Sequence, residues 1–140
     1  MLCLAAMGCL TSTVQTDARL QVRMPPALSF EEACTLPILW CTIRLALAEC
    51  TQLASHQHLL IHAASGGVGL VALEFTHRGG AAAHGSIGRP SKASLLHTLG
   101  AESIVSSRNA AAFARGAAMH HAARRVHSAL SALTKVFIST

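Results

Sequence analysis

An α/β fold built on a parallel sheet is predicted by three features of this sequence. Short apolar runs alternate with helical stretches between residues 58 and 130. The segment HLLIHAASGGVGLVALEF, residues 58–75, joins a buried-strand pattern to a glycine-rich turn and a helix start. Glycines then stand where the next helical stretches should stop, at Gly79, Gly80 and Gly100. Strands separated by helices in this way pair in parallel through right-handed crossovers.

Taken in order, residues 1–10 are apolar but lack a basic leader, which argues against a signal peptide. Residues 11–24 suggest extended structure closing at Pro25 and Pro26. Ser29 and Glu32 form S-x-x-E, a capping box that opens a short helix. Pro37 is expected to break that helix, and helical spacing resumes over residues 38–47 with Leu39 and Trp40 on apolar faces. Leu59, Leu60 and Ile61 make a short apolar run suited to a central parallel strand. After the glycine turn a helix runs on through Val68 to Phe75. A weak strand over 81–84, a helix over 90–99, a third strand over 103–106, an alanine-rich helix over 110–123 and a fourth strand over 126–130 follow. Such a sheet normally carries strands beyond the fourth, so the sequence reads as cut short.

Composition narrows the function. The 140 residues fit one domain, and 51% hydrophobic content supplies a core. Charged residues make up 12%, about half the usual ~25%, which suggests a surface partly hidden against other polypeptide. The net charge of +5 comes from scattered bases with one cluster at Arg115, His120, His121, Arg124, Arg125 and His127. Without tyrosine, and with few aromatics among the bases, a solvated helix face explains that cluster better than nucleic-acid binding. The five cysteines, Cys3, Cys9, Cys34, Cys41 and Cys50, include no C-x-x-C pair and read as free thiols in a reducing, cytoplasmic setting. The nine histidines show no metal-binding spacing, and His120 and His121 would face different sides of a helix, so no metal is expected. The longest apolar run read from the sequence, residues 59–75, is interrupted by His62, glycines and Glu74, and a soluble protein is expected.

The turn carries the chemistry. Gly66, Gly67 and Gly69 fall where a chain must turn tightly and let a pyrophosphate approach, ahead of a helix whose first N–H groups favour negative charge. Ala63 and Ala64 stand in place of the first glycine of G-x-G-x-x-G, and an ordinary strand-to-helix turn remains the alternative. An acid about 20 residues past such a turn would bind the ribose of NAD. No Asp or Glu occurs between Glu74 and Glu102; Arg89, Ser91 and Lys92 stand there instead, suited to the extra phosphate of NADP, although each base alone could be a solvated charge.

Four stretches, VRMPPALSFEEACTLPILWCTIRLAL, HAASGGVG, GRPSKASLLHTLGAESIVSSRNAAAFA and VHSALSALTKVFI, together resemble the enoyl reductase domain of modular polyketide synthases. That family belongs to the zinc-free medium-chain dehydrogenase/reductase superfamily, with quinone oxidoreductases. The resemblance covers nearly the whole chain but only part of such a domain. It implies a Rossmann-like, doubly wound sheet, incomplete here. Residues 1–28 would end a GroES-like catalytic lobe, 29–57 would connect, and 58–140 would form the NADP-binding domain. It further implies hydride transfer from NADPH to an enoyl thioester held on an acyl carrier protein, within the rest of a multidomain synthase. Ser65, Gly66, Gly67, Val68 and Gly69 match the pyrophosphate turn, Ser107 and Arg108 match a pair facing the adenosine, and Thr42 matches a threonine near the cofactor. A helix hydroxyl bonding its own turn is the other account of Thr42.

The chain departs from the family after the fourth strand. Ser131, Ala132 and Leu133 replace an Asn-Ser-Leu loop, and Lys135 replaces a glycine. No tyrosine is available as proton donor, so no catalytic acid is assigned, and His62 reads as a structural strand-end residue. The rival expectations are a free-standing quinone or alkenal reductase and a non-catalytic binding remnant.

Overall fold

The structure, a computed structural model, describes residues 2–3, 12–109, 111, 113–114 and 126–131. The chain divides into two compact units, Met1–Thr42 and Ile43–Thr140.

In the first unit, β1 (Leu2–Cys3) pairs antiparallel with β2 (Gln21–Val22). The expected extended stretch before Pro25 is interrupted by a 3-10 turn, Ala18–Leu20, where the Asp17 side chain accepts a hydrogen bond from the Arg19 backbone N–H. Helix α1 (Phe30–Ile43) starts at the predicted capping box. The Ser29 backbone N–H donates to Glu32 Oε2 at 2.9 Å, and the Glu32 N–H donates to Ser29 Oγ at 3.2 Å. Pro37 does not break this helix but lies inside it. Proline removes one N–H and crowds the carbonyl four residues back, yet the turns on either side keep their own bonds and carry the helix through.

The chain then continues as a π-helical segment, Arg44–Cys50. By length and composition the helix Phe30–Cys50 is apolar enough to cross a membrane, a stretch that a scan for unbroken apolar runs passes over because of its charges. Those charges include Glu31, Glu32 and an Arg44–Glu49 contact of 3.9 Å.

The second unit contains a parallel sheet in the order β5-β4-β3-β6. Its strands are β3 (His58–His62), β4 (Ala82–Ile87), β5 (Ala101–Ser106) and β6 (Ser128–Ser131). The weak strand expected over 81–84 is longer than its composition suggests, because it lies between β3 and β5 and pairs with both. Leu59 and Ile61 are fully buried while His58, Leu60 and His62 are only half-buried, so β3 alternates rather than being apolar on both faces. Helices α2 (Gly67–Arg78) and α3 (Ala93–Thr98) pack on the sheet, α2 against β3 and β4 and α3 against β5. Leu73, Ala72 and Leu96 meet Leu59, Ile61, Ala83 and Ile87 in the core, joined by Ile43 and Leu47. The expected helix over 90–99 opens as a 3-10 turn, Pro90–Lys92, and α3 stops at Gly100, whose φ of 94° suits glycine. Most of the predicted helix 110–123, and the basic cluster except His127, lie outside the described residues.

Ala63 takes a φ of 52° directly after β3, where a fingerprint glycine would make the tight turn. A left-handed non-glycine residue costs about 1–2 kcal/mol. Replacing it by glycine returns roughly 0.4–1 kcal/mol of that as added unfolded-state entropy. Ala63→Gly should therefore stabilise the fold by about 0.5–1 kcal/mol in urea unfolding, and a destabilised variant would contradict the strain assigned to this turn.

Candidate functional site

The carboxyl ends of three parallel strands converge, and most of the sequence-predicted residues lie there. The turn after β3 is closed by the Gly66 N–H donating to the Ala63 carbonyl at 2.9 Å. It is tied sideways to β4 by the Ala64 N–H donating to the Ser86 carbonyl at 3.0 Å. The end of β5 is tied to β4 in the same way, Ser107 N–H to the Ile87 carbonyl at 2.8 Å. A β-carbon placed on Gly88 would sit 3.4 Å from Arg108 Nε, so the Arg108 guanidinium lies over the loop that leads to Arg89.

The glycines of the turn have different duties. A β-carbon on Gly69 would approach the backbone of Ala63 and Ala64 to within 2.6–2.7 Å, so this glycine lets α2 pack onto the end of β3. Gly66 meets only the Ala63 carbonyl oxygen, at 3.4 Å, and is exposed. It is the N-cap of α2, and no side chain caps that end. The helix's first N–H groups are thereby left for a ligand or water. Ser65 and Val68 flank the turn half-buried, and Gly67 is exposed.

Arg89, Ser91 and Lys92 are all exposed just beyond β4, with Ser107 and Arg108 exposed beyond β5. Among the described residues no carboxylate pairs with Arg89, Lys92 or Arg108; the salt bridges there are Arg19–Asp17, Arg44–Glu49 and Arg78–Glu74. A polyanion is the chemistry that such an uncapped helix end and unpaired bases accept. Thr42 belongs to the first unit, where its hydroxyl donates to the Ile38 carbonyl at 2.7 Å. His62 Nδ1 lies 3.1 Å from Ser86 Oγ, and its ring meets Phe113 at 5.4 Å. Of the residues where the sequence departs from the resemblance, Ser131 ends β6 opposite His62, and residues 132 to 135 lie outside the described set.

Sequence spacing gave no hint of a second cluster, because its members come from three strands. His58 on β3, His84 on β4 and Glu102 on β5 bring their ligand atoms within 4.8 Å of one another. The described cysteines, Cys3, Cys34, Cys41 and Cys50, are free and exposed.

No family model matches the chain. Among curated proteins it is similar to the highly reducing polyketide synthase ZEA2 of Gibberella zeae, 34% identical over 131 residues, which is 91% of this chain and 6% of that protein. Among solved structures it is similar to the CurK enoyl reductase, with a TM-score of 0.78 and 32% identity over 86% of this chain and 36% of that one. It is also similar to a quinone oxidoreductase from Thermus thermophilus, described with its NADPH complex, with a TM-score of 0.73 and 27% identity over 83% of this chain and 38% of that one. The chain thus spans a small fraction of its curated relative and about a third of these solved enzymes.

Proposed function

We propose that this chain, kin to the enoyl reductase domains of polyketide synthases within the medium-chain dehydrogenase/reductase superfamily, supplies the NADPH-holding part of such a reductase. The observation that carries this is the set of strand ends: an uncapped, glycine-lined helix start beside exposed Arg89, Lys92 and Arg108, which pair with no carboxylate among the described residues, and no carboxylate in the loop after β4. In this reading residues 1–28 close a catalytic lobe, 29–57 connect, and 58–140 hold the dinucleotide.

When bound, NADPH supplies the hydride for the β-carbon of an α,β-unsaturated acyl thioester. The chain's own residues bind and orient. Backbone N–H groups of Gly67, Val68 and Gly69 would receive the pyrophosphate, with Ser65 and Gly66 shaping the approach. Arg89, Ser91 and Lys92 would hold the 2′-phosphate, and Ser107 and Arg108 would face the adenosine. Thr42 would lie near the cofactor, as its family counterpart does. The substrate would arrive on an acyl carrier protein, the rest of a multidomain, soluble, cytoplasmic synthase being the partner. A quinone reductase would use the same dinucleotide site, as the likeness to the Thermus enzyme indicates.

Calorimetric titration of the chain with NADPH and with NADH tests the cofactor assignment. Binding of NADPH at least tenfold tighter is expected, from one charge-assisted contact worth ~1.5–3 kcal/mol. Equal affinities would remove the role given to Arg89 and Lys92.

A further inference from the structure

We infer that the amino-terminal half of the sheet carries a binding site for a divalent first-row transition metal, held by His58, His84 and Glu102. Nδ1 of His58 and Nε2 of His84 lie 2.9 Å apart, and the carboxylate of Glu102 completes a group whose ligand atoms all fall within 4.8 Å. Two imidazoles and one carboxylate form a donor set that suits nickel, cobalt, zinc or iron.

The geometry narrows the choice. With metal–nitrogen bonds of ~2.0–2.1 Å, nitrogens at that separation subtend about 90° at the metal, an octahedral or tetragonal angle rather than a tetrahedral one. The ion would replace the hydrogen bond that the two rings now share.

Three further observations support a built site. The pairing of β4 with β5 slips between Ala83 and His84, so that Ala83 faces Ala101, His84 faces Ser103, and Glu102 is the extra residue. Adjacent residues of a regular strand point to opposite faces; the bulge allows both the Glu102 carboxylate and the Ser103 hydroxyl to reach His84. Ser103 Oγ lies 2.9 Å from His84 Nδ1, the outer hydrogen bond that fixes the ring of a ligating histidine. A cavity of about 270 Å³, lined in part by His84, Ser103 and His127, adjoins the cluster at His84. His58 and Glu102 stand at the beginnings of β3 and β5, whereas the dinucleotide residues stand at the strand ends, so the two sites occupy opposite ends of the sheet.

The test is titration of the full 140-residue chain, its cysteines alkylated, with Ni²⁺ by calorimetry and with Co²⁺ by amide NMR. One equivalent should bind, with paramagnetic broadening centred on residues 58, 84 and 102. Glu102→Gln and His58→Gln, neither of them buried, should each weaken binding at least tenfold while leaving the spectrum folded. Broadening centred elsewhere, no saturable binding, or unchanged affinity in both variants would overturn the assignment.

Discussion

Gly69→Val is expected to abolish the native fold of the second unit, whereas Gly66→Val, three residues earlier, should fold and fail to bind dinucleotide. The difference lies in what a side chain would meet. At Gly69 it would strike the backbone of Ala63 and Ala64 at 2.6–2.7 Å, and backbone cannot swing aside as a flexible side chain can. Separating α2 from β3 to make room would open the contact of Ala72 and Leu73 with Leu59 and Ile61, all fully buried. Overpacking against rigid neighbours typically costs about 1–3 kcal/mol and more where backbone must move, and a small domain has only about 5–15 kcal/mol in total.

At Gly66 the nearest atom is 3.4 Å from the added carbon, and φ −87°, ψ 168° is extended backbone open to valine. Losing glycine at the N-cap costs about 1 kcal/mol or less, but the isopropyl group would stand where a pyrophosphate must approach. Urea unfolding followed by NADPH calorimetry separates the two. Normal NADPH affinity in a folded Gly66→Val variant would leave the turn a purely structural strand-to-helix connection.

Arg89→Ala and Lys92→Ala should each weaken NADPH by about 10- to 150-fold and leave NADH nearly unchanged, the equivalent of ~1.5–3 kcal/mol per charge-assisted bond to phosphate. Both residues are exposed, and neither is paired with a carboxylate among the described residues, so removing either should leave the fold intact. Arg78→Ala is the matching control: its guanidinium pairs with Glu74 at 2.6 Å on the far end of α2, and its loss should not change either affinity. Parallel losses for NADPH and NADH would mean that the two bases act through the pyrophosphate or through the general field, not through the 2′-phosphate. The contributions are expected to fall as salt rises, since both groups are solvated.

Much of this fold was legible in the residues because local rules set it. The capping box at Ser29 and Glu32 needs only its own four residues, and both of its hydrogen bonds are present. The glycine turn, the stop at Gly100 and the alternation of strands with helices are likewise short-range, and they specified a parallel sheet. The missing acid after β4 could be read directly, and with it the expectation of NADP over NAD.

Other features depended on neighbours distant in sequence. Pro37 reads as a helix breaker, but flanking turns on both sides sustain α1 across it. The run Leu59-Leu60-Ile61 looks uniformly apolar, yet Leu59 and Ile61 enter the core with α2 and α3, while Leu60 shares the opposite face with His58 and His62. Which face a residue occupies is set by the two-residue period of the strand and by what packs on each side, and the second is not written locally. The Ala63 φ of 52° arises because β3 must turn sharply enough for α2 to pack back onto it through Gly69.

The histidine cluster shows the same division most clearly. Metal signatures in sequence count the few residues between ligands on one helix or loop, whereas His58, His84 and Glu102 are separated by whole strand-helix units. The sequence alone determined the strands, the turn and the charges at their ends, because each follows from a few adjacent residues. Only the tertiary structure, through parallel register and a one-residue bulge between β4 and β5, decided which side chains stand side by side across the sheet.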